Sequence, residues 1–135
     1  NFKVNKYFRQ ITKNIPIKEK VLTIKGRKFN IKNYYNGISR FDFKDLCNKN
    51  IGAEDYLKIS QKCNFIIIEN IPNFNDSNSN QQNRFITLID IIYENKIKLL
   101  VSSEKSLSNL SSSNRLAEPF KRTLSRLYEL TSKKN

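Results

Sequence analysis

Three arginines and one glutamate are the residues of this chain best suited to chemistry. Arg84 opens the run Arg84-Phe85-Ile86-Thr87-Leu88-Ile89-Asp90. Arg122 and Arg126 lie in Phe120-Lys121-Arg122-Thr123-Leu124-Ser125-Arg126-Leu127-Tyr128-Glu129-Leu130. A guanidinium is planar and permanently charged, so it grips phosphate through two parallel hydrogen bonds and offsets charge that builds during phosphoryl transfer. Glu69 ends the apolar run Phe65-Ile66-Ile67-Ile68. An acid at the end of a buried strand is where an α/β sheet offers a ligand to a metal ion or its waters, although Asn70 and not a second acid follows it. Other chemistries are closed. The chain has no His, which removes imidazole catalysis and His ligation. Its two cysteines, Cys47 and Cys63, are too far apart for a CxxC site. No GxxxxGK[ST] segment occurs to cradle phosphates.

The elements that must position these residues follow from periodicity. Phe2, Val4, Phe8 and Ile11 fit one face of a helix over residues 2–13 that Pro16 ends. Lys20–Lys25 and Lys28–Lys32, joined at Gly26-Arg27, alternate Val21, Thr23, Phe29 and Ile31 with mostly charged residues and read as a β-hairpin. Asn36-Gly37 marks a turn into a third strand, Ile38–Phe43. Gly52, with Glu54 and Asp55 behind it, reads as a helix start, because acids there meet the positive helix terminus. Cys63 is expected on that helix, on a stripe with Ala53, Tyr56 and Leu57, as a buried thiol. Asp42 is the acid of this region able to make a specific charge contact.

Next come a strand over Asn64–Glu69, a mobile polar loop from Asn73 to Gln82, and a helix over Asn83–Glu94. Phe85, Leu88, Ile89 and Ile92 form its core stripe. Strand Ile97–Ser102, a Ser- and Asn-rich loop over 102–114, and a last helix over Glu118–Ser132 complete the order. The βαβ unit predicts two parallel strands. Arg84 then stands at the start of its helix, where a cation is locally disfavoured. That position asks for a partner: an acid such as Glu69, the surroundings of Asp90, or a phosphate across an interface. Arg122, Arg126 and Glu129 share one stripe opposite Phe120, Leu124 and Leu127. They read either as a solvated face with an Arg126–Glu129 pair worth a few tenths of a kcal/mol, or as a phosphate contact.

This order of elements, with Asp42-Phe43-Lys44-Asp45-Leu46-Cys47, Gly52-Ala53-Glu54-Asp55-Tyr56 and the two arginine runs, resembles the C-terminal part of the ZapE/AFG-type P-loop ATPases. Arg84 matches the family's Arg-Phe-hydrophobic-Thr/Asn-Leu pattern. Arg122 and Arg126 match Phe-x-Arg-Thr-x-Ser-Arg-Leu-x-Glu-Met, with Leu130 in place of Met. The resemblance implies an α/β fold in which a short β-hairpin unit precedes a βαβ-type unit and a C-terminal helix, all part of a larger AAA-like ATPase. It divides the chain into the tail of an upstream helix (1–15), a small β unit (16–43) and an α/β C-terminal unit (44–135).

It also implies ATP and Mg2+ as cofactors of the parent protein, none of them held by this piece alone, and no metal site. The expected partners are an N-terminal ATPase domain missing from this chain, further copies in a homo-oligomer, and a division-machinery protein at the inner membrane face. The expected location is the cytoplasm, peripheral at that membrane. Mitochondrial relatives act in membrane-protein quality control. A chain that begins Asn1-Phe2-Lys3 and contains no Met is expected to be truncated. Its 135 residues suit one domain.

The net charge of +13 raises nucleic acid as a partner. Lys, Asn and Ile are abundant and use AT-rich codons, and the lysines read as scattered solvated surface, so no specific nucleic acid is expected. A non-catalytic protein-interaction module is the alternative to the enzyme reading, and a basic nucleic-acid binder the next.

Overall fold

A computed structural model describes residues 2–12, 18–24, 27–48 and 50–131. Helix α1 (Phe2–Thr12) leads into strands β1 (Lys18–Ile24), β2 (Arg27–Tyr35) and β3 (Ile38–Asp42). The short helix α2 (Phe43–Cys47) and α3 (Ala53–Gln61) follow, then β4 (Phe65–Ile71), α4 (Ser79–Glu94), β5 (Lys98–Ser103) and α5 (Ala117–Thr131). The five strands form one sheet in chain order, β1-β2-β3-β4-β5. The first three are antiparallel neighbours, while β3, β4 and β5 run parallel. The expected βαβ unit is therefore present, and β3–α2–α3–β4 makes a second. The division expected after residue 43 falls inside α2, and the sheet continues on both sides of it without a break. The helix stop at Pro16, the Gly26 turn and the facing of Phe2, Phe8, Ile11 and Thr23 lie outside the described residues and side chains.

Local chemistry explains most boundaries. Asn36 (φ 47°) and Gly37 (φ 89°) both take left-handed backbone, as a two-residue hairpin turn requires. A side chain at Gly37 would also meet the Asn64 amide at 2.9 Å. Asp42 accepts from the Lys44 amide at 3.1 Å and caps α2. The Gly52 amide donates to Asp55 Oδ2 at 2.8 Å and starts α3 where the acids predicted it.

The core lies on one side of the sheet. Ile66 and Ile68 of β4 point into it, where they meet Leu46, Tyr56, Ile59, Phe85, Leu88, Ile89, Ile92, Phe120 and Leu127. Ile67 points to the other side and packs on Val4 of α1, beside Ile38, Phe65 and Leu100. Both faces of β4 are thus covered, which is why its sequence reads as an unbroken apolar run.

Three expectations change. The facing of β1 is shifted by one residue: Leu22 is buried while Val21 is 49% exposed. Leu22 pairs with Phe29 and Lys20 with Ile31, and Phe29 reaches Phe41 on the core side, so Leu22 and not Val21 shares their face. The stretch Asn73–Gln82 is not a loose loop. Phe74 is fully buried, Asp76–Asn78 form a 3-10 turn, and α4 begins four residues earlier than expected. Asn75 organises that start, accepting from the Ser77 amide and donating its own amide to Asn78 Oδ1, each at 2.8 Å. Finally, Cys63 lies beyond the end of α3, and Ala53 and Leu57 are exposed. The buried residues of α3 are Asp55, Tyr56, Ile59 and Ser60.

Candidate functional site

The two arginines of α5 meet on one acid of α4. Arg126 Nη1 bonds Asp90 Oδ1, and Arg122 Nη2 reaches Asp90 Oδ2 at 3.4 Å. Arg126 also comes within 3.9 Å of Glu94 and lies 4.6 Å over the Tyr93 ring. The Tyr93 hydroxyl donates to Glu129 Oε2 at 2.8 Å. That bond holds the phenol above its ordinary range, because the carboxylate favours the protonated form. Arg126 and Glu129 therefore flank one ring. This brace joins the two helices whose apolar stripes, Phe85–Ile92 and Phe120–Leu127, pack together beneath it. The two arginines differ in freedom: the Arg126 side chain is 20% exposed and Arg122 59%.

Arg84 stands apart from this pair. Because α4 begins at Ser79, Arg84 is its sixth residue and escapes the positive helix end. Its Nη1 donates to the Cys47 carbonyl at 3.0 Å, at the C-terminus of α2, where a cation is favoured. The predicted discomfort at a helix start therefore dissolves. Cys47 beneath it is fully buried, and burial pushes its thiol up to about 12. Burial likewise raises Cys63, whose sulfur lies 2.8 Å from Ser39 Oγ. Both cysteines are free and chemically quiet.

Glu69 is not a solvated strand end, and its ion pair is with an arginine other than these three. It is 8% exposed and forms an ion pair with Arg40 of β3. Arg40 also donates to Asn5 of α1. One strand position on, Asn70 takes left-handed backbone (φ 62°) and donates through Nδ2 to Asp42 Oδ2 at 2.7 Å. The acid–amide contact of Asp42 was not foreseen. Neither was Arg40, whose place beside Glu69 depends on the parallel register of β3 and β4. A cleft of about 370 Å³ opens at this end of the strands between Asp42, Lys44, Asn70 and Gln81.

The Glu69 carboxylate already faces a guanidinium, and among the described residues no group of three His, Cys, Asp or Glu could hold a metal ion. Among the described residues, no helix is long and apolar enough to cross a membrane.

Comparison with known proteins adds the family. The model of the AFG1-like ATPase family matches residues 1–135. Lactation elevated protein 1 homolog B of Danio rerio is 30% identical over 109 residues, covering 79% of this chain and 22% of that protein. Cell division protein ZapE of Escherichia coli (strain K12) is 33% identical over 90 residues, covering 67% of this chain and 24% of that protein. The chain thus spans less than a quarter of the length of these relatives. No solved structure matches it.

Proposed function

The chain belongs to the AFG1-like ATPase family, and from that premise we propose that it is a supporting segment of an ATP-hydrolysing P-loop enzyme. The nucleotide-binding loop of that enzyme would lie in sequence outside these residues. The observation that carries this reading is the inward use of the arginine motif. Arg126 is held by Asp90 and Tyr93, and Arg84 by the Cys47 carbonyl. These contacts brace α4 on α5 and α4 on α2, so the motif that resembles an active-site signature maintains the shape of a docking unit. Arg122 is the exception. Its single long contact to Asp90 and its exposure leave it able to turn to a phosphate across an interface.

Calorimetric titration of the 135-residue chain with Mg-ATP is expected to give no micromolar binding, and micromolar binding would overturn the proposal. In a longer protein that includes the nucleotide-binding part, Arg122→Ala should lower turnover with little change in melting temperature. Arg84→Ala and Arg126→Ala should act mainly by lowering the melting temperature. Unchanged turnover in all three variants removes any catalytic part for these residues.

A link to cell division rests on the likeness to the Escherichia coli division protein. We extend it to this chain as a proposal: cells lacking the full protein should divide late and lengthen. Unaltered cell length in the deletion would sink that extension and leave the supporting role untouched.

A further inference from the structure

The positive charge of the chain is segregated. Residues 1–40 hold eleven of the 25 basic residues and one of the 12 acids, a net +10, while the remaining 95 residues carry +3. A genome that favours lysine codons would enrich both parts alike, so codon usage does not explain the asymmetry.

Of its described basic side chains, Lys3, Lys6, Arg9, Lys28 and Arg40 belong to the α1 side of the sheet, while Lys20 shares the core face with Leu22 and lies over Tyr34. Val4 packs α1 over Ile67, with Ile38, Phe65 and Leu100 beside it. Lys3, Lys6 and Arg9, three residues apart and so on neighbouring positions of the helix surface, are exposed. The same side of the sheet continues beyond β3 into the β1–β2 hairpin. Asn33 pairs there with Arg40, and Asn30 with Val21. Lys28, Asn30 and Asn33 are exposed and Val21 half-exposed. Helix α1 covers the parallel strands, and Val21, Lys28, Asn30 and Asn33 of the hairpin stand exposed beside it. The result is a step roughly 10 Å high, the diameter of a helix. Lys3, Lys6 and Arg9 are the exposed cations of α1, and Lys28 is the exposed cation of the described floor.

The described acids on this side are already engaged or lie at one end. Glu69 bonds Arg40, Asp42 caps α2 and accepts from Asn70, and Asp45 lines a second, smaller cleft with Asn30, Asn33 and Glu69.

We propose that this step binds the phosphate backbone of a nucleic-acid strand without reading its sequence. Lysines supply the attraction and release counterions. The exposed Asn30 and Asn33 amides supply hydrogen bonds to phosphate or sugar oxygens. A bilayer fits less well, because a flat surface cannot touch the crest of α1 and the recessed hairpin together. The apolar side of α1 at Val4 is also committed to the sheet.

Fluorescence anisotropy with a labelled mixed-sequence single-stranded DNA, from about 50 to 200 mM salt, tests this on the 135-residue chain. The triple substitution Lys3→Gln, Lys6→Gln, Lys28→Gln should weaken binding about 10- to 100-fold and flatten the salt slope by about 2, near 0.7 per cation removed. Removing the same charge elsewhere, at the exposed Lys58, Lys98 and Lys105, should change affinity less than about threefold. The single Lys6→Gln should already weaken binding measurably should the triple fail to fold. Equal losses in both triples would mean net charge alone and overturn the surface. Absence of binding at the lowest salt would overturn it as well. Binding to phosphatidylglycerol vesicles without binding to DNA would overturn the choice of nucleic acid.

Discussion

Phe74→Ala is expected to lower folding stability by about 3–5 kcal/mol, the range for removing a buried aromatic ring. Phe74 is fully buried, with ring centroids 5.7 Å from Phe43, 5.7 Å from Phe85 and 5.4 Å from Phe120, the last edge-on. Those three rings belong to α2, α4 and α5, so one loop residue ties three helices together. The backbone reinforces the site, because the Phe74 carbonyl accepts from Ser111 Oγ at 2.7 Å. Gln82 continues the seam. Its amide is fully buried, donates to Ser112 Oγ and accepts from the Ser113 amide and hydroxyl. Nothing small can fill the space left by the ring without moving a helix, so the cavity should persist. In a urea melt the midpoint should fall sharply with little change in slope, and Phe74→Leu should recover part of the loss. A cost below about 1 kcal/mol would mean that Phe74 is not joined to the core.

That residue also marks where sequence reading stopped. Phe74 sits in Asn73-Phe74-Asn75-Asp76-Ser77-Asn78-Ser79-Asn80, whose composition is that of a mobile loop. The signal available was a lone aromatic among small polar residues that happen to be good caps. Elements with strong periodicity were legible: the apolar strand β4, the core stripe of α4, the amphipathic α5 and the Asn36-Gly37 turn all stand where their patterns put them. Local alternation could not fix the inward face of β1, because Val21 and Leu22 are both apolar and the choice is made by pairing with β2. The candidate site divided in the same way. Arg122 and Arg126 were recognisable as a helix stripe, but their shared partner Asp90 lies over thirty residues away on α4. Arg84 departs from expectation because its helix starts earlier than its apolar stripe. Contacts across the sheet were beyond reach, since they need both strand order and register.

Arg40→Ala tests the most consequential of those contacts, with an expected loss of about 3–5 kcal/mol. The Arg40 and Glu69 side chains are 18% and 10% exposed, on adjacent parallel strands beneath α1. Truncating Arg40 leaves a carboxylate desolvated without its guanidinium, and that penalty exceeds the worth of the pair itself. The second half of the prediction follows from the same physics. Arg40→Met combined with Glu69→Met removes both charges and keeps most of the volume, so stability should return to within about 1 kcal/mol of the starting protein. A double-mutant cycle by chemical denaturation measures the coupling directly. Coupling below about 0.5 kcal/mol would show that the two groups are solvated in solution and that the pair does not hold the sheet. The Arg40 bond to Asn5 gives a separate readout. Loss of the guanidinium should speed amide exchange in α1 more than in α4, because α1 gives up a polar anchor while the aromatic core under α4 is intact. The methionine pair should restore β3 and β4 but not that anchor. Stability and the seating of α1 would then separate, and only the second should bear on what the basic step beside α1 can bind.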